Sequence, residues 1–222
     1  NLADEYFDRT HPYGYWKDTG IRLEGEAVRS LTETFLELWS VQAGGREDIR
    51  QYLTISHSVS ARGFVQPFAD NPLEEERVAE NVYLNLIHQA RKTLWFITPY
   101  LIITDEMSHA LSLAALRGVD VRIITPGIPD KKTVYAVTRS YYTGLVRNGV
   151  RIYEYTPGFC HAKQCLCDGK MVSIGTSNLD YRSLYHHFEN NVLLMGCDAV
   201  REIAADFEAT FAQCREVTDQ YL

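Results

Sequence analysis

The chain has 222 residues, 45% of them hydrophobic and 23% charged, which is enough apolar material for one large domain or two smaller ones. Its 22 basic and 29 acidic residues leave a formal net charge of −7, and no basic stripe of the kind a nucleic-acid groove needs stands out. No stretch approaches the roughly 20 apolar residues of a membrane-spanning helix, and five cysteines without a CxxC pair argue against a disulfide framework or zinc site and for a reducing, cytoplasmic setting.

In chain order, residues 16–40 read as a strand and then a helix. Gly20 to Gly25 alternates apolar with charged residues, as a half-buried strand does. From Glu26 to Trp39, Ala27, Val28, Leu31, Phe35, Leu38 and Trp39 recur at helical spacing, and Gly44-Gly45 ends the pattern. A strand is expected at 62–66. Asp70-Asn71-Pro72 is turn chemistry opening a helix over 73–90. Leu94-Trp95-Phe96-Ile97 is too apolar for an exposed strand. A helix over 105–116, a strand over 119–124, a helix over 133–147 closed by Asn148-Gly149, and a strand over 150–155 follow. Strands alternating with helices indicate an α/β layered fold, its sheet mostly parallel but mixed by the hairpin described below, with helices on both faces.

A faint internal repeat is present. Ala27-Val28-Arg29 recurs as Ala199-Val200-Arg201, and Phe35 matches Phe207 at the same offset. On this reading, residues 1–60 are the tail of one duplicated unit and 61–222 a complete second unit.

The stretch that carries chemistry runs from His161 to Asn178. Asp168-Gly169 between two apolar runs is a strong signal for a two-residue type I′ hairpin. That loop length sets Cys167 opposite Lys170, Lys163 opposite Ile174 and His161 opposite Thr176. His161 and Lys163, two apart, then share one strand face. Imidazole, ammonium, hydroxyl and the carboxamide of Asn178 converge at one end of the hairpin, a set suited to a tetrahedral phosphate. Taken singly, a His-x-Lys pair is more often a solvated strand face, Asp-Gly only a turn and Gly-Thr-Ser-Asn only a helix cap. The combination at these spacings is not so easily explained.

His161-x-Lys163-x4-Asp168-x6-Gly175-Thr176-x-Asn178 resembles the HKD signature of the phospholipase D superfamily, with Thr176 where Ser is commoner. Tyr153-Glu154-Tyr155-x-Pro157-Gly158-Phe159, Thr98-Pro99-Tyr100, Arg117-Gly118-Val119-Asp120-Val121-Arg122, Arg139-Ser140-Tyr141-Tyr142 and Trp16-Lys17-Asp18 are similar to the cardiolipin synthases within it. The likeness covers nearly the whole chain and is weakest at 41–75. It implies a phospholipase D-like fold in which two halves each bring one HKD motif to a shared active site. Asn1 then matches the last residue of the first motif, whose His, Lys and Asp would lie upstream.

The resemblance also implies the chemistry, a phosphatidyl transfer between two phosphatidylglycerol molecules through a covalent phosphatidyl-histidine, with His161 in the acid/base role. Lys163 and Asn178, with Thr176 assisting, would hold phosphate oxygens. Asp168 belongs to the catalytic motif but reads as structural from its place at the turn. Glu189 is the expected orienting acceptor for His161, and Asp18 would serve the missing histidine. Tyr100 and Arg139 match positions near the substrate pocket, although a tyrosine on a post-strand loop commonly only packs. No metal-ligand spacing or cofactor motif is present, so none is expected. Expected partners are phospholipid headgroups and, through a longer parent protein, the cytoplasmic face of the cell membrane, with no nucleic acid. Two rivals remain: a phospholipase D-type hydrolase or nuclease, which would pair two such chains as a homodimer, and a non-catalytic phosphate-binding fragment. With the first motif absent, this chain alone should be nearly inactive.

Overall fold

The structure is a computed structural model that describes residues 3–45, 48–55, 59–60 and 62–222. The first elements are β1 (Tyr15–Lys17), α1 (Ala27–Ala43), β2 (Phe64–Asp70), α2 (Val78–Gln89), β3 (Thr93–Ile97), β4 (Leu101–Ile102), α3 (Asp105–Leu116) and β5 (Asp120–Pro126). After them come α4 (Lys132–Ser140), α5 (Tyr142–Val146), β6 (Arg151–Tyr155), β7 (Gly158–Cys160), β8 (Gln164–Cys167) and β9 (Met171–Gly175). The last are β10 (Leu179–Asp180), α6 (Tyr181–His186), β11 (Glu189–Met195), α7 (Asp198–Phe211) and β12 (Cys214–Glu216).

The continuous apolar run of β3 has to be covered on both faces, and it lies inside an eight-stranded sheet of order β12-β6-β5-β3-β8-β9-β11-β2. Leu94 and Phe96 point to one face, where α2, α3 and α5 bring Ile87, Leu111 and Tyr142. Trp95 and Ile97 point to the other, where α7 brings Val200, Ile203 and Phe207. The sheet is mixed and flanked by helices, as expected. Its parallel part is smaller than expected: β3, β5 and β6 run parallel, while β12, β8, β9, β11 and β2 join antiparallel. Two parallel ribbons, β1 with β7 and β4 with β10, stand outside this sheet.

Several expected boundaries shift, each for a local reason. Residues 20–25 form no strand; Ile21 and Leu23 pack on the α7 side of the core, so their alternation reports a buried face without a ladder. The strand expected at 62–66 lies at Phe64–Asp70. The helix expected from residue 73 begins at Val78, because Asn71 turns back to accept from Leu73 N and Asp70 accepts from Ala79 N at 3.1 Å. The helix expected over 133–147 is divided at Tyr141.

The hairpin between His161 and Asn178 has the expected turn but a different register. Asp168 and Gly169 both take positive φ, 52° and 63°, and Lys170 N donates to Cys167 O at 3.0 Å. Yet Cys167 pairs with Met171, and Gln164 with Ile174. Lys170 is an extra residue, its carbonyl drawn aside to accept from Gly196 N at 3.1 Å. Lys163 therefore stands opposite Gly175, whose amide donates to Lys163 O at 3.3 Å. A Cβ at Gly175 would collide with Asn190 O and the Asn191 side chain, so glycine is required there.

Asp168 is a clamp. Its carboxylate accepts from the amides of Arg91 at 3.0 Å, Lys92 at 2.7 Å and Thr93 at 2.9 Å, tying the turn to the start of β3. Burial opposes its charge, but these amides outweigh burial and hold its carboxyl below the usual range. Replacing Asp168 by Ala is expected to destabilise the fold by about 1–3 kcal/mol in urea unfolding, with Asp168→Asn intermediate. Because the folded-state value is depressed, the deficit should be full above the ordinary aspartate range and close as pH falls below that range, through the lower folded value. An unchanged midpoint for both variants would refute the clamp.

Candidate active site

The site is assembled by the pairing of β1 with β7. Trp16 lies beside Phe159, Lys17 beside Cys160, and Lys17 O accepts from His161 N at 2.7 Å. Gly158 permits this approach, since a Cβ there would strike the backbone of Tyr15. Lys17 points away, to Asp206 on α7 at 2.7 Å. The next residue, Asp18, is thereby delivered to His161.

Asp18 Oδ2 lies 2.8 Å from His161 Nδ1, and Lys163 Nζ lies 2.8 Å from His161 Nε2. An ammonium can only donate, so the arrangement fits an imidazole with its proton on Nδ1, donated to Asp18, and the Nε2 lone pair facing Lys163. Lys163 Nζ also donates to the carbonyl of His161. The rings of Trp16, Tyr6 and Phe159 surround the imidazole at centroid distances of 5.1, 5.4 and 6.1 Å. Burial disfavours the ionised form of Asp18, but the hydrogen bond from His161 and the nearby positive charge prevail and lower its pKa. Lys163 is 7% exposed. Its burial brings the pKa down to about 8, against the opposing pull of Asp18, Glu189 and Asp180.

A second polar cluster lies across the hairpin. The hydroxyls of Thr176 and Ser183 donate to the two oxygens of Glu189, Ser183 at 2.6 Å. His187 Nδ1 approaches the same carboxylate at 3.4 Å. Ser183 Oγ accepts from Asn178 N at 2.9 Å, and Asn178 Oδ1 is buried without a partner among the described residues.

The sequence-predicted residues are thus redistributed. His161 and Lys163 meet as expected. The acceptor on His161 is Asp18 and not Glu189: the parallel ribbon carries Asp18 across, whereas β11 turns Glu189 toward Thr176 and Ser183. Thr176 is not opposite His161, because the inserted Lys170 moves the register by one. Asn178 joins the centre through the Glu189 cluster and makes no direct bond to His161 or Lys163. Tyr100 donates its hydroxyl to Asp130 at 2.6 Å and lines a cavity with Asn178. Arg139 is occupied elsewhere, with Tyr221 Oη at 2.6 Å and Glu154 at 3.7 Å. Asn1 lies outside the described residues. Sequence reasoning missed Tyr6, whose hydroxyl is 3.5 Å from His161 Nε2, and Ser183. Trp16 stood in the family-like run but without a role; Ser183 carried no local signal.

The model of the family described as "Cardiolipin synthase, PLD-like domain" matches residues 83–212, which include His161, Lys163, Asp168, Thr176, Asn178 and Glu189. The chain belongs to that family. It is 50% identical over 219 residues to an uncharacterized protein of Streptococcus mutans, covering 98% of this chain and 47% of that protein. It is 38% identical over 218 residues to cardiolipin synthase 2 of Bacillus anthracis, covering 98% and 42%. The chain therefore spans less than half the length of these curated relatives. Among solved structures, the phospholipase D family member Nuc from Salmonella typhimurium shares the fold, with a TM-score of 0.60 at 18% identity over 70% of this chain and 98% of Nuc.

The lowered Lys163 pKa gives a pH test. Its ammonium persists below about 8 and is lost above, so sulfate, whose charge does not change in this range, should bind this chain more weakly as pH rises through that value. Lys163→Arg should abolish the fall, because a guanidinium stays charged. Wild-type affinity that is flat up to the ordinary lysine range would remove Lys163 from the anion site.

Proposed function

We propose that this chain is the second half of a phosphatidyltransferase that makes cardiolipin and glycerol from two phosphatidylglycerol molecules. The observation that carries this reading is the Asp18–His161–Lys163 chain of hydrogen bonds in a member of the cardiolipin synthase family. Asp18 fixes the imidazole with Nε2 toward the reacting phosphorus and stabilises the imidazolium when it forms. Lys163 transfers its hydrogen bond from Nε2 to a phosphate oxygen when a phosphodiester is present.

In the first step, the histidine of an upstream motif attacks phosphorus. The P–O bond to glycerol breaks, and the glycerol oxygen takes a proton from Nε2 of His161, which enters this step as the imidazolium, protonated from solvent once Lys163 has turned to the phosphate. In the second, the primary hydroxyl of another phosphatidylglycerol attacks the same phosphorus, the N–P bond breaks, and the hydroxyl proton returns to His161. Glu189, already buried among Thr176, Ser183 and His187, is placed by this reading to orient the upstream histidine as Asp18 orients His161. The two acids thus exchange partners between halves.

The exposed side of α1 supports a missing half. At the offset of the internal repeat, Phe35 and Trp39 stand where α7 has Phe207 and Phe211. Phe207 is fully buried against the sheet, whereas Phe35 and Trp39 are 59% and 52% exposed. An upstream sheet of the same kind would cover them.

The test uses the full-length polypeptide containing this chain, assayed on phosphatidylglycerol vesicles. Cardiolipin should form, His161→Ala should abolish it, and Asp18→Asn should slow it by about a hundredfold or more, the range of a lost acid–base contribution. The isolated chain should be nearly inactive. Absence of cardiolipin with cleavage of DNA or release of phosphatidic acid alone would favour a hydrolase instead.

A further inference from the structure

A cavity of about 500 Å³ opens beside Asn178, with Tyr100, Lys131 and Arg182 in its wall and Val134 on its apolar side. Its two cations differ from the arginines of the β5–β6–β12 edge. Arg122, Arg151 and Arg215 are paired with Asp120, Glu216 and Glu154. Lys131 and Arg182 form no ion pair among the described residues. The Lys131 ammonium only overlies the Tyr100 ring, 5.8 Å from its centroid. Arg182 donates Nε to His187 Nε2 at 3.0 Å, which leaves its terminal nitrogens open. The acidic group in the wall, Asp180, is 7% exposed and accepts from Ser183 N at 2.8 Å. Tyr100 is committed to Asp130. Two unneutralised cations therefore face a cavity that meets the candidate phosphate site at Asn178.

The transferase reading, on which this inference rests, calls for such a feature. Transfer of a phosphatidyl group to water requires one phosphate to be held. Transfer to a second phosphatidylglycerol brings in another phosphate, which does not react and sits a three-carbon bridge from the attacking hydroxyl. Its charge needs neutralising outside the reaction centre, beyond the reach of Lys163. We propose that Lys131 and Arg182 bind this acceptor phosphodiester, with Val134 against its glycerol carbons, and so direct the phosphatidyl group to a lipid rather than to water. A guanidinium can take two phosphate oxygens at once, while the ammonium acts as a point charge.

The experiment compares two acceptors in the full-length protein. Phosphatidylglycerol vesicles report cardiolipin, and labelled free glycerol reports its exchange into phosphatidylglycerol, which uses the same donor and the same chemistry but an acceptor without phosphate. Lys131→Ala should lower cardiolipin formation by about tenfold, a loss typical of one charged contact, and leave glycerol exchange at the wild-type rate. Arg182→Ala, which also releases His187 beside Glu189, should lower cardiolipin formation about tenfold more than it lowers glycerol exchange. Arg182→Lys should recover part of the loss. If both reactions fall by the same factor, or neither changes, the acceptor site is not here. A wild-type protein that exchanges glycerol but makes no cardiolipin would instead defeat the transferase reading itself.

Discussion

The contact between Asp18 and His161 is the constraint on which the centre depends. It joins residues 143 positions apart through a 2.8 Å bond, and no helix or main-sheet strand makes it. A three-residue parallel ribbon does so, with Lys17 anchored on α7 and Gly14 and Gly158 allowing the backbones to approach, since a Cβ on either would strike the backbone of the other segment. A carboxylate beside an imidazole specifies which nitrogen keeps the proton. That choice turns the Nε2 lone pair to the buried Lys163 ammonium, and in the proposed chemistry it makes Nε2 the reactive atom. The enclosing rings of Trp16, Tyr6 and Phe159 limit the imidazole to this orientation.

The two polar clusters differ in what they lack. Around His161 each partner is present: acid, base and ammonium. Around Glu189 there is an acid with hydroxyl donors, and the exposed His187 ring lies between it and Arg182, but among the described residues no half-buried imidazole is held between this carboxylate and a lysine as His161 is held between Asp18 and Lys163. The asymmetry matches the exposed aromatics of α1, whose counterparts on α7 are the buried Phe207 and the half-buried Phe211. Both support the proposed upstream half, one from polar chemistry and the other from apolar packing. The cationic wall around Lys131 and Arg182 adds a third element, one that a hydrolase of the same fold would have no use for.

Much of the fold was legible because its signals are local. The apolar run of β3, the periodicity of α3 and the Asp168-Gly169 turn each need only neighbouring residues. The HKD spacing was legible for the same reason, since one hairpin holds most of it. What escaped depends on remote partners. The register moved by one residue because Gly196, on another connection, captures the Lys170 carbonyl. The family likeness offered Glu189, which follows the motif, as the acceptor for His161, whereas Asp18 arrives from the opposite end of the chain. Arg139 had a family-like context but is held by Tyr221 and Glu154, which no local pattern links to it. The alternation at 20–25 showed which side chains are buried and not what they pair with.

The most direct measurement is the tautomer of the His161 ring, read from its ¹⁵N resonances under conditions where the imidazole is neutral and assigned by comparison with His161→Asn. A proton on Nδ1 in the wild-type protein, with that preference lost in Asp18→Asn, is the expected result. A proton on Nε2, or a tautomer indifferent to Asp18, would contradict the arrangement from which the chemistry is derived.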